Sequence, residues 1–129
     1  MKISVIGTFV RDLIYPWNAK PIESIGGIFY TISYLANLAG KDSEIWPVCF
    51  VGEDFYDQVI GQLKKFDNVR TECINKLDRE NMTVKLEYTS PTERDETTTE
   101  PMPALKAEDL ELILDSDTTI VNLITGTDL

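Results

Sequence analysis

Two adjacent glycines followed by a helical pattern constrain the fold of this chain most strongly. After Gly26 and Gly27, apolar residues recur at helical spacing as far as Gly40, which stands where a helix C-terminus favours glycine. Because glycine has no Cβ, the pair allows the backbone to approach a ligand closely at the start of this helix. The first N–H groups of the helix also remain free to meet a polar or anionic group. The alternative is a tight turn before the helix, which needs one glycine but hardly two.

Apolar strands alternate with helices along the rest of the chain. The predicted apolar strands cover residues 3–6, 44–51, 69–74 and 118–124, of which the last is expected to be buried. The predicted helices cover residues 28–39, a segment running from an N-cap at Asp54 to Leu63, and residues 107–114. This order predicts an α/β fold with a doubly wound, mainly parallel sheet and helices on both faces.

Two segments depart from this alternation. Residues 13–25 contain two prolines and an Asn-Ala turn, which favours two short edge strands over a helix. Residues 82–88 alternate in polarity, as a strand with one solvated face does. Residues 89–100 are almost wholly polar, and we interpret them as a mobile hairpin loop with a threonine-rich return strand. We expect these segments to form a small separate sheet beside the main one.

Composition limits the kind of partner. The chain has 129 residues and a formal net charge of -10, which argues against nucleic acid, since phosphate backbones require Lys and Arg stripes. No apolar run approaches transmembrane length, so we expect no membrane partner. The N-terminus is too short and too β-branched for a signal peptide, and we expect a cytoplasmic location.

The two cysteines, Cys49 and Cys73, lie in apolar, strand-like runs. With no histidine in the chain, a zinc site and a Cys–His nucleophile are excluded within it. We expect buried free thiols in a reducing compartment, and a disulfide between the two remains an unsupported alternative.

Ligands of open α/β sheets bind beyond the carboxyl ends of the strands, where residues 7–12, 24–31 and 52–54 are expected. Asp12 is the sharpest single candidate, because its carboxylate can accept two hydrogen bonds from vicinal hydroxyls of a sugar. A salt bridge with Arg11 or a turn cap explains the same residue equally well. For residues 52–54 a turn followed by an N-cap is a sufficient explanation.

A phosphate-binding signature is missing from the sequence. It contains neither G-x-x-x-x-G-K-[ST] nor G-x-G-x-x-G, and residues 126–128 hold a glycine and an acid without a nucleotide loop. We therefore predict no catalytic residue, metal ligand or nucleotide site in this chain. A dinucleotide-binding Rossmann domain is disfavoured on the same ground.

As a set, these motifs resemble the N-terminal half of the PfkB (ribokinase-like) carbohydrate kinase family, over the whole of residues 1–129. The matching positions are residues 5–7, Asp12, Gly26 and Gly27, residues 34–40, residues 51–55 and Gly61. The resemblance implies that Asp12 and the two glycines bind hydroxyls of a sugar or nucleoside. It also implies a lid built from about residues 13–25 and 82–101, which in several members pairs with a second subunit. Thr31 stands where members often carry Asn, and it can still hydrogen-bond a hydroxyl with a shorter reach.

The same resemblance implies ATP and Mg²⁺ for an intact family enzyme. The family's catalytic aspartate lies in a Gly-Ala-Gly-Asp motif of the C-terminal half, which also carries a metal-linked Asn-x-x-Glu motif, and this sequence matches neither. We therefore interpret the chain as the substrate-binding and lid portion of an ATP-dependent sugar or nucleoside kinase. The alternative is a short, non-catalytic α/β protein that binds a polyol or a partner subunit. Self-association through the lid or an exposed sheet edge is expected in either case.

Overall fold

The computed structural model describes residues 1–124, which form eight strands, two α-helices and one 3₁₀ helix. The strands are β1 (Lys2–Ile6), β2 (Phe9–Tyr15), β3 (Ile22–Gly27), β4 (Glu44–Gly52), β5 (Ile74–Leu77), β6 (Thr83–Tyr88), β7 (Arg94–Thr98) and β8 (Thr118–Val121). The helices are α1 (Phe29–Leu38), α2 (Glu53–Leu63) and the 3₁₀ helix Ala107–Ile113. The glycine and acid of residues 126–128 lie outside the described residues.

Four strands form a parallel sheet in the order β5-β4-β1-β8. Because successive side chains of a strand point to opposite faces, β4 contributes to apolar clusters on both sides of the sheet. Ile45, Cys49 and Val51 pack on the side of α1 and α2, whereas Val48 packs with Ile113 of the 3₁₀ helix. The predicted α/β fold with a parallel sheet and helices on both faces is thereby confirmed.

The two α-helices follow the predicted pattern closely. Helix α1 buries Ile32 against the parallel sheet, and Gly40 follows its C-cap with a φ of +79°. The predicted N-cap of α2 is wrong: Gly52 holds that position, and Asp54 lies in the first turn of the helix. The Asp54 carboxylate instead accepts a hydrogen bond from the backbone N–H of Asn81 at 2.8 Å.

The other four strands form a mixed sheet in the order β3-β2-β6-β7. Strands β2 and β6 are parallel, whereas β3 and β7 pair antiparallel at the two edges. The predicted separate sheet is confirmed, and so is the threonine-rich return strand, β7. The mixed sheet extends beyond the predicted segments, because β2 already begins at Phe9 and β3 continues to Gly27.

Two other predicted elements require correction. The strand predicted at residues 69–74 reduces to an isolated bridge between Val69 and Ile45, because a turn closed by the Ile74 N–H on the Thr71 carbonyl (3.1 Å) interrupts it. The helix predicted at residues 107–114 is a 3₁₀ helix of seven residues, Ala107–Ile113, which is long for this form.

The strand predicted to be buried at residues 118–124 ends at Val121 and is largely exposed. Within residues 1–124 it pairs with β1 alone, so it is an edge of the parallel sheet and not an interior strand. Its apolar residues therefore indicate an uncovered surface.

Both cysteines are free and buried, as predicted. They lie side by side, with the backbone N–H of Cys49 donating to the Cys73 carbonyl at 3.3 Å. Burial raises the pKa of both thiols, which favours the neutral, unreactive form. None of the helices in the described part of the chain has the length and apolar character needed to cross a membrane.

Candidate functional site

The ends of β1, β3 and β8 lie close to the start of α1, beyond the carboxyl edge of the parallel sheet. The N–H of Ile28 donates to the Thr8 carbonyl at 3.0 Å, which ties the start of α1 to the turn after β1. The N–H of Asn122, just past β8, donates to the Ile6 carbonyl at 2.9 Å. The Asn122 side-chain amide then donates to Thr31 Oγ1 at 2.7 Å and joins β8 to α1.

The glycine pair ends β3, and Ile28 is the N-cap of the helix that follows. Gly27 has a φ of +67°, and a Cβ there would overlap the Thr8 carbonyl oxygen. A Cβ at Gly26 would overlap a carboxylate oxygen of Asp12. Each glycine is thus required by a close approach of the protein itself, which explains why a simple turn does not account for both.

The Asp12 carboxylate lies against the Gly26 backbone from the neighbouring strand β2. It is half-buried, and no side chain or backbone group of residues 1–124 donates a hydrogen bond to it or forms an ion pair with it. The salt bridge with Arg11 considered above is absent, because Arg11 pairs with Glu23 and Asp54. Loss of solvation, and secondarily the charge of Glu96, raise the pKa of Asp12.

The fourth predicted residue, Thr31, lies in the first turn of α1 and is half-buried. Its hydroxyl accepts from Asn122 and keeps its own proton available for donation. The structure therefore places Asp12 against Gly26, and it places Thr31 in the first turn of the helix that follows Gly27.

Asn122 and Asn81 are polar residues of this region that the sequence analysis did not single out. Asn122 directly follows the last strand, and a polar residue at the carboxyl end of a predicted parallel strand was an available signal. Asn81 stands before β6 without any local motif, and only the fold reveals that its side chain is buried and fully hydrogen-bonded.

Residues 1–124 offer little for a metal or a phosphate. They contain no group of three or more His, Cys, Asp or Glu residues that could hold a metal ion. A cavity of about 360 Å³ lies between β3, α1 and α2, lined among others by Glu23, Tyr30 and Gln58. Glu23 is already paired with Arg11, so this cavity is a weaker candidate site for a polar ligand than the surroundings of the unpaired Asp12.

No protein-family model and no curated protein matches this sequence. Solved structures do match its fold. The fructokinase of Halothermothrix orenii is 17% identical with a TM-score of 0.75, and the match covers 94% of this chain and 46% of that one. A ribokinase from Cryptococcus neoformans var. grubii, in complex with ADP, is 12% identical with a TM-score of 0.70, covering 97% and 42%. A pyrophosphate-dependent kinase of the ribokinase family is 14% identical with a TM-score of 0.70, covering 98% and 42%.

The chain thus spans less than half the length of these three kinases. At such low identities the likeness shows the fold, which is ribokinase-like. The resemblance drawn from the sequence motifs holds at that level.

Proposed function

We propose that this chain binds the hydroxyl groups of a sugar or nucleoside and corresponds to the substrate-binding and lid portion of an ATP-dependent kinase for such substrates. One observation carries the proposal. In a ribokinase-like fold, the half-buried Asp12 carboxylate lies against the Gly26 backbone and lacks a hydrogen-bond donor within residues 1–124. A partly desolvated carboxylate without a partner costs free energy that a ligand with two donors would recover.

Vicinal hydroxyls of a sugar are suitable donors for this carboxylate. They can donate to both Asp12 oxygens at once, and hydrogen bonds to an ionised acceptor are among the stronger ones. The absence of side chains at Gly26 and Gly27 lets the backbone lie directly against the Asp12 carboxylate and the Thr8 carbonyl, which brings the start of α1 close to Asp12. The Thr31 hydroxyl, held by Asn122, would donate to a further oxygen of the ligand.

We assign the role of a lid to the mixed sheet. Asp12 belongs to β2, so any movement of this sheet carries the carboxylate with it. The predicted lid segments, residues 13–25 and 82–101, contain parts of all four of its strands.

A phosphoryl donor does not fit the residues described here. The site's own charged group is an anion, and residues 1–124 hold no metal-binding cluster. ATP and Mg²⁺ are therefore expected of an intact enzyme and not of this chain by itself. Two of the matching structures illustrate the range of donors, since one contains ADP and another is a pyrophosphate-dependent kinase. We expect no ADP formation when this chain is mixed with ATP and sugars.

Calorimetric titration of the chain with D-ribose, D-fructose and adenosine tests the proposal. We expect saturable binding of at least one of them, and the Asp12→Asn variant should bind roughly tenfold or more weakly, because it loses a charged acceptor. Asp95→Asn is the matched control, since Asp95 is an exposed aspartate of the same sheet without a hydrogen bond or ion pair among the described residues. Absence of binding in the wild type, or equal binding by Asp12→Asn, would contradict the proposal.

A second candidate, a non-catalytic α/β protein that binds a partner subunit, is favoured by the exposed edge strand β8. An unpaired apolar edge promotes strand pairing between chains. We predict a concentration-dependent dimer in light scattering, weakened by Val121→Lys on this edge. The comparison variant is Thr97→Lys on the mixed-sheet edge β7. If the chains associate through the lid instead, this variant weakens the dimer and Val121→Lys does not. A monomer at all concentrations would contradict this prediction.

A further inference from the structure

A hydrogen-bonded joint connects the mixed sheet to the parallel sheet near Asp12. Its centre is Asn81, which is 2% exposed. The Asn81 side-chain oxygen accepts from the Gly52 N–H at 2.9 Å, at the end of β4. Its amide donates to the Phe9 carbonyl at 2.9 Å and to the Met82 carbonyl at 3.1 Å, at the starts of β2 and β6. One side chain therefore joins β4 of the parallel sheet to β2 of the mixed sheet, and it also bonds the residue that precedes β6.

Arg11 provides a second connection from β2 to helix α2. Its Nη1 lies 3.1 Å from Asp54 Oδ2, and its Nη2 donates to the Asp54 carbonyl at 3.0 Å. The guanidinium also lies 4.8 Å from the ring centre of Phe55, which is fully buried. Glu23 of β3 contributes an ion pair with Arg11 Nε at 3.3 Å.

Asp54 links the two connections. One carboxylate oxygen meets Arg11, and the other accepts from the Asn81 backbone N–H at 2.8 Å. Asp54, in the first turn of α2, is thus bonded to β2 through the Arg11 side chain and to the segment before β6 through the Asn81 backbone N–H. Gly52 completes the arrangement, because a Cβ at that position would overlap the Asn81 backbone.

We propose that Arg11, Asp54 and Asn81 are positioning residues that set where the Asp12 carboxylate lies relative to Gly26. Arg11 and Asp12 are neighbours in β2 with side chains on opposite faces of the mixed sheet. Bonding Arg11 to α2 therefore fixes the rotation of β2 about its own axis, and its distance from α2, at the adjacent residue Asp12. The inference rests on the proposed function only in treating Asp12 as the ligand-binding group.

An ordinary surface ion pair would have little such effect, because exposed pairs contribute almost nothing to stability. The Arg11–Asp54 pair differs in two respects. It is bidentate toward the same residue, and the shared carboxylate also satisfies a backbone donor of a buried residue. Removing the charge of Asp54 weakens both connections together, so its effect should extend into β2 and β6.

Hydrogen exchange tests this inference without any ligand. In Asp54→Asn we expect faster exchange of hydrogen-bonded amides in β2 and β6, while amides of β1 and β4 keep the wild-type rate. The control is Asp57→Asn, a change of the same charge at an exposed residue of the same helix that has no partner among the described residues. Unchanged exchange in β2, or equal acceleration in all strands, would overturn the inference.

Sugar affinity supplies the second measurement, with D-ribose, D-fructose and adenosine as probes. We expect Asp54→Asn and Arg11→Gln each to weaken binding about three- to tenfold, and the double variant to be no weaker than the stronger single one. Additive losses in this cycle would overturn the inference. If the wild type binds none of the probes while exchange in β2 changes as expected, the proposed function fails and the positioning role stands.

Discussion

The parallel sheet and the mixed sheet contain the same number of strands but are stabilised in different ways. In the parallel sheet, β1 and β4 carry side chains with almost no solvent exposure, packed between α-helices and the 3₁₀ helix. In the mixed sheet, every residue of β7 is exposed, and no residue of β6 is fully buried. Phe9 and Ile25 join the mixed sheet to the main apolar core, and polar contacts around Asn81 and Asp54 add a second connection.

This difference places the candidate ligand-binding carboxylate on the sheet with the more exposed strands. Binding elements are commonly drawn from regions of low local stability, because they must open and close. Gly26 and Gly27 lie on this same sheet, whereas Thr31 lies on helix α1, which packs on the parallel sheet.

The largest expected effect comes from truncating equivalent side chains in the two sheets. Ile45→Ala in β4 removes fully buried atoms and should cost about 2–5 kcal/mol of unfolding free energy. Leu86→Ala in β6 removes the same number of carbon atoms from a half-buried position and should cost about 1 kcal/mol or less. Urea denaturation followed by circular dichroism measures both. Equal losses would show that the mixed sheet is as well packed as the core.

An intermediate effect is expected at the junction between the sheets. Gly27→Ala forces a side chain onto a positive φ and against the Thr8 carbonyl, and should destabilise the protein by about 1–3 kcal/mol. Gly61→Ala is the matched control, because this helical glycine has open space around it and alanine should stabilise α2 by about 0.4–1 kcal/mol. A neutral Gly27→Ala would mean that the junction adjusts more easily than its geometry indicates.

The smallest effect concerns the charge of Asp12. A raised pKa means that the folded state binds the Asp12 proton more tightly than the unfolded chain does, so this group favours folding at low pH and loses that contribution as pH rises through the raised pKa. Asp12→Asn should therefore stabilise the protein at neutral pH, by about 0.5 kcal/mol after allowing for solvent screening of a half-exposed group. The gain should vanish below the ordinary aspartate pKa of about 4.

Thermal unfolding of the two proteins across pH 3–7 measures this difference. Glu96→Gln provides an independent check, since removing the nearby negative charge should lower the pKa of Asp12 in an NMR titration. A stability difference that grows toward acid would contradict the assigned sign.

Local patterns were sufficient for the elements whose partners are apolar. The apolar run over residues 44–51 and the helical spacing after Gly27 predict core elements correctly, because buried segments are apolar either continuously or at a regular period. The same reasoning failed at Asp54, which the sequence predicts as an N-cap. Its carboxylate instead accepts a hydrogen bond from the backbone N–H of Asn81, 27 residues away. Such long-range polar pairing has no period, so neither Asn81 nor Asn122 could be assigned a partner before the fold was known.

The candidate site residues depart from such local patterns. Gly26, Gly27 and Asp12 are unusual for a β hairpin, and residues that break a local rule often mark a place where something else must fit. What the sequence did not reveal is that Gly26 pairs with Val10, two residues before Asp12, so that the Asp12 carboxylate reaches the Gly26 backbone diagonally, since register depends on the whole sheet.

The central place of β1 in the parallel sheet has a consequence for synthesis of the chain. Its first neighbour, β4, is complete once residue 52 has emerged from the ribosome, whereas its second neighbour, β8, pairs Thr118 with Ile3. At about 5–20 residues per second, the free edge of β1 would wait on the order of ten seconds for that partner. Throughout this interval the nascent protein presents the unpaired edge of an apolar strand, the kind of edge that promotes pairing between chains.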